Sequence, residues 1–165
     1  MKKIFLLMIV VVVSGIPACK KASQEEKKKD FDAEKKAISL VLEKYRIAHE
    51  SEDLSLVRKV WASDSDIIVI GTSGDEMFRG WDEINEALKK QFDEQDETFI
   101  TVREEDIKVN AEGNTAWFSE ILAYNYIANG KATSLEGLRF TGVLEKRDSI
   151  WLIVQSHISV PAKAE

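Results

Sequence analysis

The stretch "GLRFTGVLEKRDSIWLIVQS", residues 137–156, decides how the chain folds. Two apolar runs flank Asp148-Ser149, as in antiparallel strands joined by a tight turn. Upstream, "NTAWFSEILAYNYIA" (114–128) and "KATSLEGLRFTGVLEKR" (131–147) flank Asn129-Gly130, the strongest two-residue hairpin signal, and "TFITVREEDIKVN" (98–110) precedes them. With "IWLIVQSHIS" (150–159) last, four long strands close the chain as a meander.

Earlier segments carry helical periodicity. Phe31, Ala37, Ile38, Val41, Leu42, Tyr45 and Ala48 recur at three- and four-residue spacing and predict an amphipathic helix to Ser51, with His49 on its solvated end. A short second helix follows, capped by Asp53 and apolar on Leu54, Val57 and Trp61. "IIVIGT" (67–72) reads as a buried strand, "SGDE" as a turn and "MFRG" as the return. Trp81 to Glu94 makes a third helix on Ile84, Leu88 and Phe92. Helices first and long strands after predict an α+β domain with helices on one face of the sheet.

Counting register outward from the two loops places Glu120 opposite Arg139, and Arg139 opposite Ile158. Opposed residues share a face. Phe118, Glu120, Tyr124, Arg139 and Ile158 are thus expected on one face, and Trp117, Phe140, Trp151 and His157 on the other. An arginine among apolar neighbours needs a partner. The count supplies one, a cross-strand ion pair between Glu120 and Arg139.

The amino terminus is separate from the fold. Lys2 and Lys3 precede an apolar run, Ile4 to Val13, too short to span a bilayer, and Ile16, Pro17, Ala18 and Cys19 follow. This resembles a bacterial lipobox, which implies cleavage before Cys19 and lipidation of the only cysteine. The expected organisation is a lipoprotein signal peptide over 1–18, a lipidated cysteine and flexible tether over 19–30, one domain over 31–160, and a tail over 161–165. Localisation is then the bacterial cell envelope, on the extracytoplasmic side, with the membrane engaged through the lipid alone. Cleavage removes two lysines and leaves the chain more acidic than its full-length net charge of −6, which argues against nucleic-acid binding.

Three phrases, "DLSLVRKVWASDSDIIVIGT", "FRGWDEINEALKKQF" and "RFTGVLEKRDSIWLIVQSHIS", together with the element order, resemble the SnoaL-like branch of the nuclear transport factor 2-like superfamily. The resemblance covers about residues 31–160. It implies three N-terminal helices packed on a strongly curved, mostly antiparallel sheet, a cone whose hollow holds the pocket and whose outer face meets a second copy. The ligand-binding residues it implies are Arg139 as anion anchor, Glu120 as its partner and Tyr45 as hydrogen-bond donor. Trp61, Phe78, Phe118, Tyr124 and Ile158 form the apolar wall. Trp117, Phe140, Trp151 and His157 form the dimer face.

The superfamily's chemistry varies, and fold does not fix it. A steroid-isomerase base is missing, because Gly71 stands where the resemblance would put it; Asp75, Glu76 or Glu120 could supply a displaced carboxylate. With two histidines and one cysteine, a zinc site is not expected, and no nucleotide-binding glycine motif or catalytic elbow occurs. No catalytic residue, cofactor or metal is assigned. The leading expectation is a homodimeric protein binding a small, partly apolar ligand. A cofactor-free isomerase, cyclase or dehydratase and a non-catalytic dimerisation scaffold are the alternatives.

Overall fold

The computed structural model describes residues 31–162. The leader, Cys19 and the tether lie outside those residues. Nine elements follow in order: α1 (Asp32–Glu50), α2 (Leu54–Val60), β1 (Ile68–Ile70), β2 (Met77–Arg79), α3 (Gly80–Glu94), β3 (Asp96–Val109), β4 (Thr115–Ala128), β5 (Lys131–Arg147) and β6 (Ile150–Ser159). The three helices and the β3 to β6 meander fall where periodicity and turn residues place them. Asp53 caps α2 by accepting the Leu56 N–H at 3.0 Å. Asn129, Gly130, Asp148 and Ser149 all have positive φ, the backbone that tight hairpin loops require.

One feature of the expected architecture is corrected. The six strands form an open sheet in the order β2-β1-β6-β5-β4-β3, so the sheet does not close or curl strongly into a cone. At three residues each, β1 and β2 give their end too little backbone to reach round to β3. The sheet is mixed: β1 runs parallel to β6, and the other four pairings are antiparallel.

The helices cover one face. Ile38 and Leu42 of α1, Val57 of α2 and Ile84 of α3 are buried against Phe118, Leu122, Leu138, Phe140, Leu144 and Ile153 of the sheet. Burying each such side chain stabilises the fold by roughly 1.5–3 kcal/mol before entropy is counted. Polar clamps fix α1 at its two ends. Glu34 accepts from Lys146 Nζ at 2.6 Å and Trp151 Nε1 at 2.8 Å, and Glu50 accepts the Ile100 N–H at 2.7 Å.

Two bulges separate the observed register from the expected one. The pairing counted from Asn129-Gly130 holds as far as Ala123 with Glu136, and then Leu122 pairs with Leu138. Gly137, at φ +71°, is the extra residue of a β-bulge, and it turns the rest of β5 over. Glu120 therefore faces Phe140, and Arg139 faces Ile121, so the Glu120–Arg139 ion pair does not exist. A second bulge at Val154 shifts β6, so Arg139 meets Ser159 rather than Ile158. Phe140 and Trp151, expected on the outer face, are buried beneath the helices, while Trp117 is exposed and His157 half-buried on the outer side.

Candidate functional site

A cavity of about 560 Å³ opens between the inner sheet face and helices α1 and α3. That volume suits a small organic ligand. Its wall is aromatic and aliphatic: Tyr45, Trp61, Phe78, Tyr124, Phe140 and Ile158 contribute, with Leu88 of α3 and Leu122 and Leu138 of the sheet. The two bulges create this wall, because they bring Phe140 inward beside Ile158. The Tyr45 ring stacks on Phe140 with centroids 5.1 Å apart, and Phe118 meets Phe140 edge-on from behind at 4.9 Å.

Polar groups punctuate this surface. His49 lies four residues after Tyr45 on α1, with ring centroids 4.3 Å apart, and presents an edge to Phe92 of α3 at 5.5 Å. Burial depresses its pKa to about 4, so the imidazole is neutral at pH 7. The Tyr45 phenol is pushed up by burial, with the Tyr124 and Glu120 groups adding to the shift, and stays protonated. Tyr124 is held by two glutamines of the α3 end: its hydroxyl accepts from Gln91 Nε2 at 2.9 Å and donates to Gln95 Oε1 at 2.8 Å. His49 Nε2 and Trp61 Nε1 are buried and have no hydrogen-bond partner among the described residues. Each such group costs on the order of 1–3 kcal/mol.

Charge is arranged in two places. Arg46 of α1 donates from Nη1 to Glu120 Oε1 at 2.7 Å; the glutamate side chain is fully buried. Burial raises the Glu120 carboxyl above the ordinary carboxylate range, against the pull of the guanidinium, and Glu105 on the neighbouring strand pushes it the same way as burial. Where the turn between β1 and β2 meets α3, Asp75, Glu76, Lys90 and Glu94 line the cavity. Glu76 Oε2 accepts the Ser73 N–H at 2.9 Å, and Lys90 lies 3.9 Å from Glu94.

Of the residues expected at the ligand, Tyr45, Trp61, Phe78, Tyr124 and Ile158 line the cavity. Phe118 stands behind Phe140, and Glu120 behind Arg46. Arg139 is on the outer face, exposed, donating to the Val160 carbonyl at 2.8 Å, so it cannot anchor an anion in this cavity. Sequence reasoning missed His49, Arg46, Gln91 and Gln95. His49 was expected in solvent, yet its seven-residue spacing from Leu42 continues the buried stripe of α1. For Arg46 and the glutamines the sequence held no comparable signal.

Comparison with known proteins bears on the fold. A family model described as a SnoaL-like domain matches residues 38–163. A nuclear transport factor 2-like superfamily protein from Salmonella enterica is similar in structure, with TM-score 0.75, 20% identity, and 82% of this chain and 96% of that one covered. A candidate dehydratase of the NTF2-like family from Streptomyces avermitilis gives TM-score 0.70 at 14% identity, covering 81% of this chain and 100% of its own. A candidate scytalone dehydratase from Novosphingobium aromaticivorans gives 0.70 at 12% identity, covering 79% and 85%. At such identities these likenesses speak for the fold alone. No curated protein matches the chain significantly.

Proposed function

This chain belongs to the SnoaL-like domain family, and from that premise we propose that its cavity takes a small, largely apolar molecule and transfers protons on it, in the manner of a dehydratase or isomerase that works with side chains alone. One observation carries the reading: the apolar wall holds two un-ionised hydrogen-bonding rings side by side, Tyr45 and His49. A phenol that stays protonated can donate to a substrate oxygen as negative charge develops on it. Neutral His49 is too weak a base to lead the reaction but can hold such an oxygen in place. The proton acceptor is Asp75, an exposed carboxylate in the cavity lining.

The test is turnover of a β-hydroxy ketone, followed by the ultraviolet absorbance of the enone formed on loss of water. Tyr45→Phe should lower kcat about a hundredfold, the typical cost of one oxyanion donor, while the fold survives. Asp75→Asn should remove activity and keep affinity. If the protein binds the ketone but never converts it, the proton-transfer reading is wrong and the cavity is a binding site only.

The setting of this domain belongs to the same proposal. Export and a lipid anchor at Cys19 would hold it beside a membrane on the extracytoplasmic side, and a second copy would cover the outer sheet face around Trp117.

A further inference from the structure

We propose that the cavity selects a ligand carrying a positive charge, an apolar body with an ammonium head, and that Glu76 is the residue that reads it. This rests on the cavity being a ligand site, as argued above. It reverses the sign that an anion anchor at Arg139 would have given.

Five charged residues line the cavity: Arg46, Lys90, Asp75, Glu76 and Glu94. Both cations are engaged, Arg46 by Glu120 and Lys90 by Glu94. Neither Asp75 nor Glu76 has a cation within ion-pair distance among the described residues. The lining, taken with Glu120, is negative whether or not Glu120 is ionised, so it favours entry of a cation and opposes a carboxylate.

Glu76 differs from Asp75 in being fixed. Its Oε2 takes the Ser73 N–H, and its side chain folds over Gly71, which also lines the cavity. A Cβ on residue 71 would lie 2.2 Å from that Oε2, so only glycine leaves the carboxylate room there. The backbone N–H occupies one carboxylate oxygen and leaves the other for a ligand. A pre-set carboxylate loses little freedom on pairing.

Behind it the wall suits the rest of such a ligand. Tyr45, Trp61, Phe78, Tyr124, Tyr126 and Phe140 all contribute ring surface, and aromatic faces attract cations as well as apolar carbon. Two of the lining residues, His49 and Trp61, carry buried polar atoms with no partner among the described residues, as does Glu120 Oε2 behind Arg46.

Isothermal titration of the full chain with three probes of one shape separates the alternatives: 2-naphthylmethylammonium, 2-naphthylmethanol and 2-naphthoate. The ammonium should bind about five- to tenfold more tightly than the alcohol, the scale of one charge-assisted contact at a partly wetted site, and the carboxylate most weakly. Glu76→Gln should bring the ammonium to the level of the alcohol and leave the alcohol unchanged. If Glu76→Gln unfolds, raising the salt should erase the ammonium's advantage in the wild-type chain. Equal binding of ammonium and alcohol, or a preference that survives Glu76→Gln or high salt, overturns the proposal while leaving the cavity a ligand site. Failure of all three probes to bind overturns the cavity reading itself.

Discussion

His49 shows how one side chain can be placed by the helix that carries it. The stripe of Ile38, Leu42 and Tyr45 on α1 runs on to His49, which is wedged between Tyr45 and Phe92 instead of ending in water. The consequence is a pH dependence with a definite sign. In the unfolded chain the imidazole titrates near 6.5, and in the folded protein burial lowers this to about 4. Between those values the unfolded state binds a proton that the folded state refuses. The stabilisation from keeping His49 neutral is therefore complete above 6.5 and is lost as pH falls towards 4, by on the order of 3 kcal/mol. His49→Phe lacks this dependence. The stability difference between wild type and variant, from urea unfolding, should move by about that amount between pH 7 and pH 4; a constant difference would mean that the imidazole titrates freely.

At the scale of the element, strand β5 turns on Gly137. Its φ of +71° lies where L side chains are strained, and the bulge it forms decides which residues of β5 face the helices. Gly137→Val should cost roughly 1–2 kcal/mol in the melt, because a β-branched residue resists that backbone, while Gly137→Asn should cost less than half as much. If valine is tolerated as well as asparagine, the bulge is not held by the glycine. Regular structure is legible in the sequence: both hairpin loops, the α2 cap and four strands follow from turn chemistry and alternation. The two bulges are not. A glycine inside a strand pattern hints at one, but Val154 carries no such mark, and each bulge turns over every residue beyond it. Arg139, Phe140 and Trp151 changed sides for that reason alone. The cavity wall was partly legible, through Tyr45, Trp61, Phe78, Tyr124 and Ile158. The Glu76 carboxylate over Gly71 and the Arg46–Glu120 pair depend on side chains meeting across elements, which no local pattern encodes.

For the whole molecule, the open sheet leaves one broad face uncovered by the three helices. Trp117 is 48% exposed there, Ile121 and Val143 are partly exposed, and Thr141 and His157 sit across the middle strands. Exposed tryptophan beside β-branched residues suits a protein interface, where aromatic side chains are enriched and charged ones depleted towards the centre. The proposal of a homodimer now stands on Trp117 and His157, because Phe140 and Trp151 lie inside the fold and their substitution would report on stability instead. Trp117→Glu tests it cleanly: the side chain points away from the core, so the variant should melt within about 1 kcal/mol of the parent monomer. A carboxylate at position 117 would have to be desolvated without a partner when a second copy covers this face, so the substitution disfavours the paired state. Analytical ultracentrifugation across a hundredfold concentration range should show a dimer for the wild-type chain and a monomer for Trp117→Glu. A wild-type chain that sediments as a monomer throughout would return this face to solvent and confine the molecule's recognition to the cavity.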